Sequence, residues 1–495
     1  MDEANRTLLE NAHPPDWKNP RPQGRYNLVV LGAGTAGLVA AAGAAILGAR
    51  VALVERDLMG GDCLNFGCVP SKALIRAARA AYEASHSGDL GVHLNTPPRL
   101  EFGRAMQRMR QLRAHISFHD SVQRFSKLGI DIFLGDAKFT SVKTVEVADA
   151  RLEFSRAIIA TGARASRLAV PGLDVAGYLT NETLFSLTRC PSSLIVVGAG
   201  PVGCEMAQAF RRFGAEVSMV SAGRGLLPRE DGEAATILST QFEREQIAMY
   251  MGARVLRAEK NGDGKTLVFD RGRGEEKITA EEILVAIGRT PNLESLELDK
   301  AGVQRHVKGV TVDDYLRTTN PRIYAAGDVC SPYHFTHAAE ALARVALQNA
   351  LFFGRKKASE LVIPWCTYTS PEIAHVGVYE RDAETGIKLD TITLRLQEND
   401  RALLDGDSEG FVRVHVNKRS QRILGATLVS SHAGESIGEL VLAIQKKMTV
   451  QQLAAVIHPY PTVADSIKRA GDASMRSRLK PWMLAMLTKM FALRR

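Results

Sequence analysis

The chain has 495 residues, 45% of them apolar, with six cysteines and a formal net charge of +9. This length supports about three domains of ordinary size, and so few cysteines, with no charged, apolar and small-residue signal at the start, exclude a secreted disulfide scaffold and point to a reducing cytoplasm. Lys468 to Arg495 holds eight Lys/Arg against one acid, Asp472, so this tail supplies +7 and the body lacks the basic face that nucleic acid needs.

In chain order, Met1 to Gly24 is polar and proline-rich without helical or strand period, and is expected as an extended arm on the body or a partly disordered leader. Leu28 to Ala49 then runs 22 residues without a charge, long enough for a membrane span. Its interior changes from a β-branched run to a glycine turn, an alanine-rich helix and a second apolar strand, which predicts strand, helix and strand buried in a sheet. Gly32, Gly34 and Gly37 stand in GxGxxG spacing directly after the first strand, and Glu55 closes the second strand 23 residues after Gly32. Such glycines give a tight turn, a close approach for a pyrophosphate and close helix–sheet packing. The helix N-terminus then binds phosphates and the acid accepts from a ribose, so a dinucleotide site is expected here.

The next segment, "MGGDCLNFGCVPSK", carries Cys63 and Cys68 five positions apart. In a regular helix they would be separated by about 7.5 Å of rise, whereas a disulfide wants Cα atoms roughly 4.4 to 6.8 Å apart. A disulfide here therefore requires part of the segment to leave the helix. Asn65 and Gly67 are turn-permissive, and Pro70 suits the first turn of a helix that begins near Cys68. A helix N-terminus lowers a thiol's pKa, which makes Cys68 the better candidate for a stabilised thiolate.

The glycine pattern returns after "SLIVV" with Gly198, Gly200 and Gly203, implying a second dinucleotide. Ser221 stands where Glu55 stood, and Arg224 follows three residues on. A carboxylate would repel a 2′-phosphate, whereas a small neutral residue and a guanidinium accommodate one, so NADPH is favoured over NADH. Cys190, Cys204, Cys330 and Cys366 lie in separate segments and are expected as buried, inert packing. Trp482 to Leu493 is apolar and methionine-rich, and is expected to dock as a short helix on a dimer or to make a weak contact with an anionic membrane surface.

The segment "GGDCLNFGCVPSK", the paired glycine motifs, "AIIATGA" (Ala157 to Ala163), "AIGRTPN" (Ala286 to Asn292) and "TTNPRIYAAGDV" (Thr318 to Val329) resemble the flavin-dependent pyridine nucleotide-disulfide oxidoreductases. The likeness spans about Arg25 to Asp472 in the right order. It implies an α/β fold with two Rossmann-like dinucleotide-binding domains, for FAD and NAD(P), and a C-terminal α+β dimerisation domain. The limits expected are 1–24 for the extension, 25–165 and 290–358 for the FAD domain, 166–289 for the NAD(P) domain, 359–475 for dimerisation and 476–495 for the tail. The resemblance further implies a homodimer whose partner subunit completes the active site. Hydride passes from NADPH (or NADH) to FAD, and electrons then reach a Cys63–Cys68 disulfide, with Cys68 against the flavin and Cys63 meeting the acceptor. Lys72 and Glu205 match the pair beside the flavin's reactive nitrogen, Asp328 would hold the ribityl chain, and Thr336 and Ala137 would give backbone contacts. Thr161, Gly162 and Gly288 would line the cofactors, and no resident metal is expected.

Disulfide reductases of this family need a proton carrier, a histidine held by a carboxylate in an HPTxxE-like motif. Aligned on its Pro-Thr, "IHPYPTVADSIKRAGD" puts Tyr460 at the catalytic position and Asp465 at the acid position, while His458 falls two residues early. A phenol, which ordinarily titrates near about 10, is a poor base at neutral pH. Tyrosine here resembles the mercuric reductases, whose acceptor is a soft metal ion that needs thiolates and no proton relay. "LKPWMLAMLTKMFALRR" holds no vicinal cysteine pair and no GxTCxxC segment precedes the body, so Cys63 and Cys68 are the cysteines expected to handle such an ion. A metal-ion reductase of this kind is the leading expectation. A disulfide or lipoamide reductase, a quinone reductase acting directly from flavin, and a non-catalytic flavin sensor are the alternatives.

Overall fold

This computed structural model describes residues 2–262, 264–352, 354–386 and 388–494, which leaves Met1 of the expected arm and Arg495 of the basic tail outside the described residues. The chain divides into two units, Met1–Arg224 with Ile247–Leu361, and Gly225–Gln246 with Val362–Arg495.

The first unit opens with a correction. Glu3–Ala12 is a helix, α1, where an extended arm or partly disordered leader is expected. Asp2 caps it, accepting from the Asn5 amide at 2.9 Å. Only Leu8 and Ala12 are buried on it, and a helix of ten residues is marginal on its own, so contacts with the body hold it. The following residues do lie on the body as an arm: Trp17 Nε1 donates to the Ile132 carbonyl at 3.2 Å and Asn19 Nδ2 to that of Leu134 at 2.9 Å.

β1 (Tyr26–Leu31), α2 (Thr35–Ile46) and β2 (Val51–Glu55) account for the uncharged stretch. β1 and β2 pair in parallel, Leu28 with Val51 and Leu31 with Val54, and every β2 residue is buried. This is why the run reads as continuously apolar, and no described helix is long and apolar enough to cross a membrane. After α3 (Gly61–Asn65), α4 (Cys68–Ser85) and α5 (Phe102–Ser117) come β3 (Asp131–Leu134), β4 (Ala137–Ser141), β5 (Thr144–Val147) and β6 (Ala150–Ile159). The sheet order is β3-β2-β1-β6-β5-β4, with Ile323–Ala325 added in parallel to β6. α2 packs on the helix Thr336–Leu351 through small residues such as Ala40, Ala44, Ala339 and Ala343, which bring the two backbones close.

The same unit holds a second parallel sheet, with Ser193–Val197 between Glu216–Ser221 and Glu282–Val285, and Ala248–Met251 at its edge. Pro201–Arg212 is the helix after its first strand. Three antiparallel strands, Arg254–Asn261, Gly264–Asp270 and Glu275–Ala280, accompany it. Both glycine motifs thus sit in strand–turn–helix units, as the α/β fold class requires.

The second unit is a five-stranded antiparallel sheet that runs from Trp365–Thr367 through Glu372–Gly377, Ile423–Ser430 and Phe411–Asn417 to Leu389–Arg395. Ala433–Gln445 and Asp465–Ser477 contribute to its core. Residues 225–246 join this unit through charge and burial. Glu230 accepts from Trp365 Nε1 and Tyr379 Oη, each at 2.7 Å, and Arg413 Nη1 reaches Asp231 at 2.5 Å. Helix Pro481–Ala492 buries no residue and exposes Trp482, Leu484, Met486 and Phe491.

Candidate active site

The two loop cysteines are free thiols flanking a helix break. α3 ends at Asn65 and α4 starts at Cys68, with Gly67 as its N-cap in a conformation (φ −124°, ψ −111°) that is neither helix nor strand. Gly67 is the expected turn residue. Asn65 serves differently: it is fully buried and its amide donates to the Gly61 and Met59 carbonyls at 2.8 and 3.2 Å, closing α3 on itself.

At the start of α4, Cys68 Sγ lies 3.2 Å from Thr336 Oγ1 and is also hydrogen-bonded by Cys63. The Cys63 bond is the main reason the Cys68 thiol is pushed down to about 6; the Thr336 hydroxyl and the Lys72 charge add to it, against burial and Asp62. The α4 N-terminus favours the same charge. Cys63 is pushed far up, first because it is the donor in that bond, then by burial. One sulfur is built to be a thiolate and the other to keep its proton.

Lys72, one turn along α4, reaches Glu205 on Pro201–Arg212 at 2.9 Å, with the Glu205 side chain only 5% exposed. A carboxylate this buried needs a cation partner. Arg289, which sequence inspection missed inside "AIGRTPN", spans Asp62 at 3.2 Å and Asp328 at 3.4 Å, and burial raises the Asp328 carboxyl. The motifs resembling the family also meet. Thr161 Oγ1 donates to the Asn292 carbonyl at 2.8 Å, the Asn292 amide returns a bond to the Thr161 carbonyl at 3.0 Å, and Gly288 accepts from the Ser166 amide at 2.9 Å. Gly162 accepts from the Asn292 backbone at 3.0 Å, and Ala137 opens β4 opposite Val147.

Both glycine turns are sterically closed to larger residues. A Cβ on Gly37 would lie 1.8 Å from the Gly32 carbonyl oxygen, and one on Gly203 2.1 Å from that of Gly198. Gly34 and Gly200, the N-caps of α2 and of Pro201–Arg212, offer no side chain to the first N–H groups of their helices, and nothing lies within 4 Å of a Cβ built on Gly200. Glu55 accepts from the Ala33 amide at 2.6 Å and the Asp57 amide at 2.9 Å, and burial raises its carboxyl. Ser221 accepts from the Gly223 amide at 3.2 Å, and Arg224 is exposed.

Tyr460 and Asp465 lie in the second unit. The Tyr460 phenol donates to Asp400 at 2.6 Å, a bond that raises its pKa, and Asp465 is a further negative neighbour. His458 carries the hydrogen bond that the sequence did not foretell, Nε2 to Glu439 at 2.9 and 3.1 Å. Of the remaining cysteines only Cys204 is fully buried. Cys190, Cys330 and Cys366 are half-buried, and burial pushes the Cys190 and Cys330 thiols to about 11 and about 12.

Residues 26–350 match the family described as pyridine nucleotide-disulphide oxidoreductase, and residues 363–471 its dimerisation domain. The chain belongs to the pyridine nucleotide-disulphide oxidoreductases. Similar proteins include a mercuric reductase of Bacillus cereus, 34% identical over 90% of this chain and 71% of the relative. A dihydrolipoyl dehydrogenase of Haloferax volcanii is 32% identical over 90% and 96%. Among solved structures, the Cu(II) complex of the HOCl-induced flavoprotein disulfide reductase RclA from Escherichia coli aligns with a TM-score of 0.79 at 26% identity, covering 89% of this chain and 98% of that one. Family members bind FAD and use NAD(P)H, and the dimerisation domain supports a homodimer. The residues present fit two such cofactors: two glycine turns that a Cβ would block, two helix starts without side-chain caps, and a buried acid beside the first.

Proposed function

We propose that this oxidoreductase passes electron pairs from NADPH through a Cys63–Cys68 couple to a soft metal ion, as the name of its mercuric reductase relatives describes. The observation that carries this reading is Tyr460 at the relay position. Its phenol is tied to Asp400 and holds its proton more tightly than a free phenol, which suits an acceptor that needs no proton relay. FAD, when bound, links the hydride donor to the cysteine pair.

Gly32, Gly34 and Gly37 with Glu55 would hold FAD, and Asp328, Thr161 and Gly162 would line it. Gly198, Gly200 and Gly203 with Ser221 and Arg224 would hold NADPH. Cys68 supplies a thiolate at neutral pH, and Cys63 is the thiol that meets the acceptor. Hg(II) bridging the two sulfurs displaces the Cys63 proton to solvent, because soft ions bind thiolates. Overall, one hydride from NADPH gives two electrons to Hg(II), leaving NADP+, a proton and Hg(0). Lys72 balances Glu205 so that no uncompensated charge is buried beside the pair, and in the homodimer the second subunit's C-terminal domain closes the site.

The test is NADPH oxidation with Hg(II) in excess low-molecular-weight thiol. Turnover above the oxygen background, lost in Cys63→Ser and in Cys68→Ser, is expected; no turnover above background rejects the reading. One observation favours a second reading, disulfide reduction, because His458 and Glu439 form the kind of imidazole–carboxylate couple that carries a proton. It predicts turnover with small disulfides that falls at least about tenfold in His458→Gln, and a zero rate across several disulfides removes it.

A further inference from the structure

The proposed site accounts for the flavin-side partners of the cysteine loop but not for what holds its other side. Between the cysteines only Phe66 and Gly67 are outside a helix. The carbonyls of Asn65 and Phe66, which lead into this junction, are both captured by side chains from distant parts of the chain. Arg113 Nη1 on α5 donates to the Asn65 carbonyl at 2.8 Å, and Asn181 Nδ2 donates to the Phe66 carbonyl at 3.2 Å and to Asp62 Oδ1 at 3.0 Å. Arg113 is 8% exposed, makes no ion pair among the described residues, and spends its second nitrogen on α1, donating from Nη2 to Asn5 Oδ1 at 2.7 Å. α1 holds the start of the loop as well, its Ala12 carbonyl accepting from the Met59 amide at 3.0 Å. It is fastened to α5 by Arg110 to Asp2 at 2.6 Å and by Asn11 to Ser117 at 2.9 Å.

Met59 and Leu64 pack α3 into the core, but one side of the junction is open. A cavity of about 530 Å3 lies there, lined by Phe66, Asn5, Arg113, Arg110, Phe185 and Glu182 among others. On that open side the hydrogen bonds from Arg113 and Asn181 hold the Asn65 and Phe66 carbonyls, and with them the approach of Cys63 on α3 to Cys68 on α4.

We infer that the N-terminal helix α1, acting through Asn5 and Arg113 on the Asn65 carbonyl, is a brace that fixes the Cys63–Cys68 geometry, with Arg113 as a positioning residue for the redox pair. This inference rests on the proposed role of the two cysteines. Its physical content is that the Cys63 S–H can stabilise the Cys68 thiolate only while the junction is pinned. Without the guanidinium, a fully buried carbonyl loses its charged donor, and the segment relaxes toward the cavity. The charged groups that act on the pair are Asp62 from α3, which Arg289 contacts, and Lys72 from α4, which Glu205 contacts, whereas Arg113 bonds to Asn65 and Asn5. Around Arg113 itself stand Arg110 and Asp2.

The test uses the FAD-loaded full chain after two-electron reduction, reading the pH midpoint of the long-wavelength absorption that a Cys68 thiolate beside flavin produces. Arg113→Gln is expected to raise that midpoint by about one unit or more, a tenfold change in the thiol–thiolate equilibrium. Arg113→Lys, which keeps the charge but not the two-armed contact, should recover part of it. Asn5→Ala should shift it in the same direction by less, and this half-buried position carries the test if Arg113→Gln does not fold. A lowered melting temperature with the wild-type midpoint in both Arg113→Gln and Asn5→Ala overturns the brace. If the wild-type protein itself shows no such absorption, the reading of the cysteine pair fails, and the brace with it.

Discussion

Thr336 is the cleanest single lever on the proposed thiolate. Its hydroxyl is 3.2 Å from Cys68 Sγ, and against a thiolate only the hydroxyl can donate. Hydrogen bonds to charged groups contribute about 1.5–3 kcal/mol, and sulfur is a weak acceptor, so Thr336→Val should cost the thiolate about 1.4 kcal/mol, or about one pKa unit. The Cys68 midpoint, pushed down to about 6 in the folded protein, would rise to about 7. The depressed midpoint means that the thiolate is present above about 6 and is lost as pH falls through it. At pH 7 the thiolate share should accordingly fall from about nine-tenths to about half in the variant. Valine keeps the volume nearly unchanged, so flavin content and melting temperature serve as controls. A pH titration of the thiolate–flavin absorption in the reduced protein reads the midpoint directly. An unmoved midpoint in a fully flavinated Thr336→Val protein would refute the claim that this hydroxyl holds the thiolate.

Other expectations separate the two nucleotide sites and the acceptor end. Gly37→Ala puts a Cβ 1.8 Å from a backbone oxygen and should abolish FAD retention on purification, measured by flavin absorbance per chain. Gly203→Ala meets the same clash at 2.1 Å in the second unit of the pattern, and should keep its flavin while losing reduction by NADPH, which stopped-flow bleaching would show. Arg224→Ala should raise the KM for NADPH about tenfold with little change for NADH; equal effects on both would remove the 2′-phosphate assignment. Tyr460→His, which places an imidazole where the relay histidine of disulfide reductases stands, should raise turnover with small disulfides, and no change would argue that Tyr460 is not what limits that reaction.

What the sequence revealed was local. Gly32, Gly34 and Gly37 with Glu55, and their counterparts from Gly198 to Ser221, lie within one strand–turn–helix–strand unit each, so their chemistry is written in spacing. The same holds for the break between Cys63 and Cys68. The Lys72–Glu205 pair joins residues 133 apart, and only the family resemblance brought it into view. Arg289 with Asp62 and Asp328, Arg113 with Asn65, and His458 with Glu439 had no such guide, because each is a side chain meeting a distant group in ways no periodicity encodes. α1 is amphipathic but only ten residues long, with just Leu8 and Ala12 buried, so its stripe is too short to stand out beside the polar, proline-rich stretch that follows. The same fact explains why its stability comes from α5 and the redox loop and not from helix propensity.

The central claim, a redox-active pair at 63 and 68 working in series with FAD, is tested most directly by counting electrons. In an anaerobic dithionite titration the oxidised wild-type protein should take up four electrons per FAD before the flavin is fully reduced, two for the flavin and two for the disulfide, while Cys63→Ser and Cys68→Ser should take up two. A wild-type protein that is fully reduced by two electrons would contradict the account.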